Sequence, residues 1–207
     1  MLKQLRYATA VALCGATLTA CGVSDTYFSH LHKGEPFVEA QPDTTQAPEG
    51  SDAAPAPQAP LPDGGLAPEE GAILPPRDAQ DACPYLPDPQ WVADTVGERT
   101  LAQGVDGRFD TPACVFWSYN EKPSLITLVR HFPDEELARQ AVDFYAPIDA
   151  TSPASRPVGW TGGRGSFPGM AVYAVQKGPV SVIAISNQEQ TIKVQTAAEE
   201  VIKNLGL

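Results

Sequence analysis

Ser124-Leu125-Ile126-Thr127-Leu128-Val129-Arg130-His131-Phe132 decides the fold. Alternate residues of a strand point to opposite faces, and here β-branched and apolar side chains fall on both. Such a run predicts a central strand covered at least partly on each side. Its neighbours follow the same logic. Ala113 to Tyr119 is β-branched and aromatic, and Asn120-Glu121-Lys122-Pro123 turns the chain between the two strands. A further strand is predicted at Glu98 to Ala102, joined to Ala113 through a glycine- and aspartate-containing turn.

On the C-terminal side, Pro133-Asp134-Glu135-Glu136 starts a helix, with aspartate at the cap and acids where the dipole favours anions. Leu137, Ala141, Phe144 and Tyr145 recur at helical spacing and turn one stripe to the sheet. Glu135 and Arg139 form an i,i+4 pair on the wet side, and Pro147 ends the helix. Thr151 to Gly169, rich in proline and glycine, is predicted to be loop. Met170 to Gln176 and Val180 to Ser186 form a hairpin about Lys177-Gly178-Pro179. A last helix is predicted from about Gln188 to Leu205, capped by Asn187 and stopped by Gly206. At the other end, Asp88-Pro89 opens a short helix that Gly97 stops. The order is αββ, β, α, ββ, α. Its short links predict an α+β fold, one antiparallel sheet flanked by helices on one face or at its ends.

Residues 83–207 carry this domain. They hold twelve of the sixteen aromatic residues, with fourteen acids against ten lysines and arginines. Residues 21–82 read instead as a linker. Ten of the 21 prolines lie there, and acids outnumber lysine and arginine by eleven to two, so the segment supplies −9 of the net charge of −11. That composition buries too little apolar surface to offset its ordering entropy. As coil, the 61 residues after Cys21 span about 45 Å, and as an extended polyproline-like strand about 190 Å.

Lys3 and Arg6 precede an apolar run, Ala8 to Thr17, of secretory length. It is too short for a membrane helix, which needs about 20 apolar residues. Leu18-Thr19-Ala20-Cys21 resembles a bacterial lipobox. The resemblance implies removal of residues 1–20 as a signal peptide and acylation of Cys21, palmitate being one such acyl group. The mature chain then sits on the outer face of the cytoplasmic membrane, held through its lipid. Cleavage nearby without acylation would give a freely secreted protein. Cys14 leaves with the signal, so Cys83 and Cys114 remain, and two thiols in an oxidising compartment most simply pair. Two free buried cysteines are the alternative.

Cys83-Pro84-Tyr85-Leu86, Thr111 to Trp117, Gly159-Trp160-Thr161-Gly162-Gly163 and Ala174 to Gly178 resemble an actinobacterial, chiefly corynebacterial, family of envelope lipoproteins built on a domain of unknown function. More distantly the chain is similar to mycobacterial lipoproteins with a leading Cys-Pro and a later Cys before a Phe/Thr-Trp-Ser strand, here Cys114 to Ser118. The resemblance implies a surface lipoprotein with an antiparallel sheet flanked by helices, similar to the PsbP/Mog1-like shape, and no catalytic residue to transfer.

The chemistry left to the domain is sparse. It holds one imidazole, His131, which serves better as a structural histidine than as a zinc ligand or triad base. His30 and His32 lie in the linker. No S-x-x-K or G-x-S-x-G pattern occurs. An acidic chain without a basic face excludes nucleic acid. No cofactor or metal is expected. Gly159 to Gly165 is the unusual stretch: its glycines would let backbone N–H groups converge on a ligand, and Arg164 would grip an anion. Trp160, Gly162, Gly163 and Arg164 are therefore the candidate binding loop; a flexible or tightly turned loop with Trp160 packed over the sheet edge is the structural alternative. The reading is of a non-enzymatic binding or accessory module for an envelope protein or glycan. A carrier of a lipid or small apolar ligand, and a hydrolase, are the other classes.

Overall fold

The computed structural model describes residues 62–207. Residues 1–20, Cys21 and the linker as far as residue 61 lie outside the described residues.

The central strand is where the apolar run puts it. β3 (Leu125–His131) pairs along its whole length with β7 (Val180–Ser186), and on its other side with β2 (Thr111–Trp117). The remaining strands are β1 (Ala102–Asp106), β4 (Ser152–Ala154), β5 (Thr161–Phe167) and β6 (Met170–Lys177). All pair antiparallel in one sheet of order β1-β2-β3-β7-β6-β5-β4.

Helices cover both faces, not one, because β3 and β7 are apolar on both. Leu125, Val129, Val182 and Ala184 pack with Val92 and Val96 of α1 (Pro89–Val96) and with Val194, Ala198 and Val201 of α3 (Thr191–Leu205). α2 (Glu135–Tyr145) lies across β5, β6 and β7. Its Ala138 and Ala141 pack beside Phe132. Asp88 and Asp134 cap α1 and α2, each accepting from the backbone N–H three residues on. The Cys83 and Cys114 sulfurs are bonded at 2.07 Å with their Cα atoms 5.6 Å apart, pinning the chain before α1 to β2. Over a sequence separation of 31, such a bond stabilises by roughly 3–4 kcal/mol through the unfolded chain.

Five features depart from the sequence reading. β1 begins at Ala102, where Glu98 to Ala102 had been expected, and the glycine-containing stretch after it is strand. Gly104 is needed there, since a Cβ would come within 2.6 Å of Pro75. Thr151 to Gly169 is largely sheet, contributing β4 and β5. α3 starts at Thr191 without a side-chain cap, its cap position being Gln190; Asn187 lies three residues earlier, where its Nδ2 donates to Glu98 at 3.3 Å. Arg139 pairs with Glu136 (2.5 Å) and Asp143 (2.6 Å), not with Glu135.

The fifth departure concerns the stretch read as linker. From Pro62 onward it lies on the sheet. A 3-10 turn, Pro62–Gly65, is followed by chain that reaches the β1 edge, where the Gln103 N–H donates to Ala79 O. Arg130, fully buried, holds it. Its Nε donates to Asp63 Oδ2 at 2.9 Å, and its two terminal nitrogens donate to the carbonyls of Leu66, Ala67, Pro68 and Glu70. Phe109 and Phe132 flank the guanidinium at 4.9 and 4.8 Å. Farther along, Asp106 accepts from the Ile73 N–H at 2.7 Å and from Arg108, which also reaches Glu70 at 2.9 Å.

Candidate functional site

The glycines of β5 open a cleft between the C-terminal end of α2 and the β4–β5 edge. Gly163 faces α2, and a Cβ there would come within 2.8 Å of both Ala146 Cβ and Thr151 Oγ1. At Gly162 a Cβ would collide with the carbonyl oxygen of Ala174. The glycines are therefore set by close packing, and they leave a floor without side chains. The cleft holds about 220 Å3. Val142, Ala146 and Ile148 supply its apolar wall, and Ser152 and Thr161 its hydroxyls. Ile148 stands 80% exposed at the mouth.

Charge at the rim is already committed. Arg139 bridges Asp143 and Glu136 along the outer face of α2, and the hydrogen bond from Arg139 holds the Glu136 carboxyl below its usual range. The Thr151 hydroxyl donates to Pro147 O at 2.8 Å. The lining thus offers an apolar wall, two hydroxyls and a paired rim, suited to binding a small group of mixed polarity.

The four residues proposed from sequence do not converge. Gly162 and Gly163 floor the cleft. Trp160 is buried in the core on the opposite face, with Tyr173 and α3. Arg164 also points to that side, its Nη1 3.5 Å from Gln195 Oε1. Period-2 alternation along β5 puts Gly163 on the face opposite Arg164, while Gly162, of the same parity as Arg164, lines the cleft through its backbone; a loop reading cannot anticipate that.

Two polar centres were missed. One is the Arg130–Asp63 clasp; the signal for it was a lone arginine inside an apolar strand, where burial demands a partner. The other is Glu98, whose carboxylate accepts from Ser118 Oγ (2.5 Å), Gln188 Nε2 (2.8 Å), Asn120 Nδ2 (3.1 Å) and Asn187 Nδ2. Burial alone would raise its pKa, but these hydrogen bonds, that from Ser118 foremost, outweigh it and hold the carboxyl below its ordinary value. Glu98 ties the start of β1, the β2–β3 turn and the β7–α3 connection together.

A family described as a domain of unknown function, DUF2020, matches residues 68–207. The chain belongs to that family. No curated protein matches it. The DUF2020 match begins before Cys83, at Pro68, so it includes Pro68, Glu70 and Ile73 of the held stretch but not Asp63, Leu66 or Ala67. Sequence family and packing agree from Pro68 onward.

Proposed function

We propose that the protein is a lipid-anchored, extracytoplasmic binding module that engages an envelope protein or glycan through the α2–β4–β5 cleft. The observation that carries the reading is the glycine-floored cleft, in which two close-packed glycines hold a surface recess open beside an exposed isoleucine. Export is supported by the Cys83–Cys114 bond, since disulfides persist in oxidising compartments. Membrane attachment rests on the lipobox and on the resemblance to actinobacterial envelope lipoproteins.

The size of the cleft argues for a group borne by a larger partner. Pockets for free drug-sized ligands run to about 300–1,000 Å3, and 220 Å3 suits a single side chain or sugar-sized group better than an acyl chain. Strand addition at β4 is disfavoured by Pro153, which removes a backbone donor from an edge strand only three residues long.

The test is site-specific photo-cross-linking in intact cells carrying the full chain. A cross-linker at Ile148 is expected to trap one defined adduct that a cross-linker at Ile192, exposed on α3, does not trap. Equal adducts at both positions, or none at Ile148, would remove the cleft from the function.

A further inference from the structure

We propose that Asp63, Asp110 and His131 form a binding site for a divalent first-row cation that fastens the Pro62–Gly65 turn to β3. The three side chains come from separate elements: the 3-10 turn, the connection between β1 and β2, and the last position of β3. One ligand atom from each lies within 4.8 Å of the other two. Bonds of about 2.0–2.2 Å to oxygen and nitrogen place tetrahedral ligands about 3.3–3.6 Å apart around such an ion, so the Asp110 and His131 side chains must close by about 1 Å on an Asp63 carboxylate that three donors already fix.

A second observation points to a ligand there. The Nδ1 atom of His131 is buried and has no hydrogen-bond partner among the described residues. A buried ring nitrogen left unpaired carries a desolvation cost, and a metal removes it. The backbone also holds the three residues together: the N–H groups of His131 and Asp110 donate to Asp63 at 2.8 and 3.2 Å. That is the supporting shell a metal site needs to fix its carboxylate.

Charge and donor type select the ion. Asp63 and Asp110 bring two negative charges and Arg130 one positive, while His131 ligates as neutral imidazole. Arg130 Nε stays on Asp63 Oδ2 at 2.9 Å, so Oδ1, which accepts only the Asp110 N–H, is the oxygen left to face an ion. Two carboxylates with one imidazole and no thiolate suit Mn2+ or Zn2+ better than Cu+. Asp110 is exposed, which leaves a side for water ligands and for entry.

The experiment titrates the full chain with Mn2+, reading free ion by electron paramagnetic resonance, in wild type, Asp110→Asn, His131→Gln and a His30→Ala/His32→Ala variant. The last controls for the two neighbouring histidines of the N-terminal stretch. Wild type is expected to take up one Mn2+ that Zn2+ displaces. Removing a ligand should weaken binding by about tenfold or more, since even outer-shell losses cost that much. The His30/His32 variant should bind like wild type, and Mn2+ should raise the thermal midpoint of wild type but not of Asp110→Asn. No stoichiometric uptake at millimolar Mn2+, equal uptake in Asp110→Asn and His131→Gln, or loss in the His30/His32 variant would each overturn the proposal.

Discussion

Arg130→Met tests whether the stretch after Pro62 belongs to the folded unit. The substitution roughly keeps volume and leaves Phe109 and Phe132 a side chain to pack against, but it removes the guanidinium N–H groups that reach Asp63 and the carbonyls of Leu66, Ala67, Pro68 and Glu70. Asp63, 1% exposed at its side chain, keeps only the backbone N–H groups of His131 and Asp110. Breaking a buried pair from one side costs about 3–5 kcal/mol. If the four carbonyls also stayed buried and unpaired, at about 1–3 kcal/mol each, the total would exceed that several-fold. Peeling the stretch from the sheet is then the cheaper response, and it caps the loss. At roughly 3 °C per kcal/mol for a domain of this size, Tm should fall by about 9–15 °C. New protease cleavage should appear between residues 62 and 82. Calorimetry and limited proteolysis read the two effects. Adding Asp63→Asn removes the stranded charge and should restore part of the loss, because an ion pair replaced on both sides is often neutral. A Tm within 2 °C of wild type, with no new cleavage, would refute the clasp.

Further outcomes follow from other contacts. Replacing both Cys83 and Cys114 with alanine should lower the unfolding free energy by about 3–4 kcal/mol in denaturant titration. Gly163→Val should cost about 1–3 kcal/mol by overpacking against Ala146 and Thr151, visible as a lower denaturation midpoint; a looped, unpacked glycine would tolerate it. Glu98 is held below its ordinary value of 4.5 in the folded chain. Its contribution is therefore fully present above that value and is lost as the pH falls through the folded pKa. Wild type should exceed Glu98→Gln in thermal midpoint at pH 7, and the gap should narrow as the pH is lowered below 4.5; parallel curves would mean that the carboxylate carries no linkage.

What the sequence made legible was whatever depends on local pattern. The Leu125–His131 strand declares itself because apolar residues fall on both parities, and Asp134-Glu135-Glu136 because capping and dipole act within one turn. The hairpin about Gly178-Pro179 and the stops at Gly97 and Gly206 are of the same kind. β5 was hidden because its glycines look like flexibility, whereas Gly163 is packed so tightly that a Cβ would come within 2.8 Å of Ala146 and Thr151. Pro62-Asp63-Gly64-Gly65 is a turn signal, but the prolines and acids around it give it the look of linker. What orders it is one arginine 67 residues away in sequence, and composition carries no trace of that. Of the four candidate loop residues, Gly162 and Gly163 line the cleft, while Trp160 and Arg164 lie on the α3 side of the sheet, a division that a loop reading does not express.

We propose an exported module moored by Cys21. Intact mass of the chain extracted from native membranes tests it most directly. The expected species begins at Cys21, carries the added mass of acyl groups on that residue, and is two hydrogens lighter than the reduced form on account of Cys83–Cys114. A species that retains residues 1–20, or begins at Cys21 without added mass, would contradict the claim.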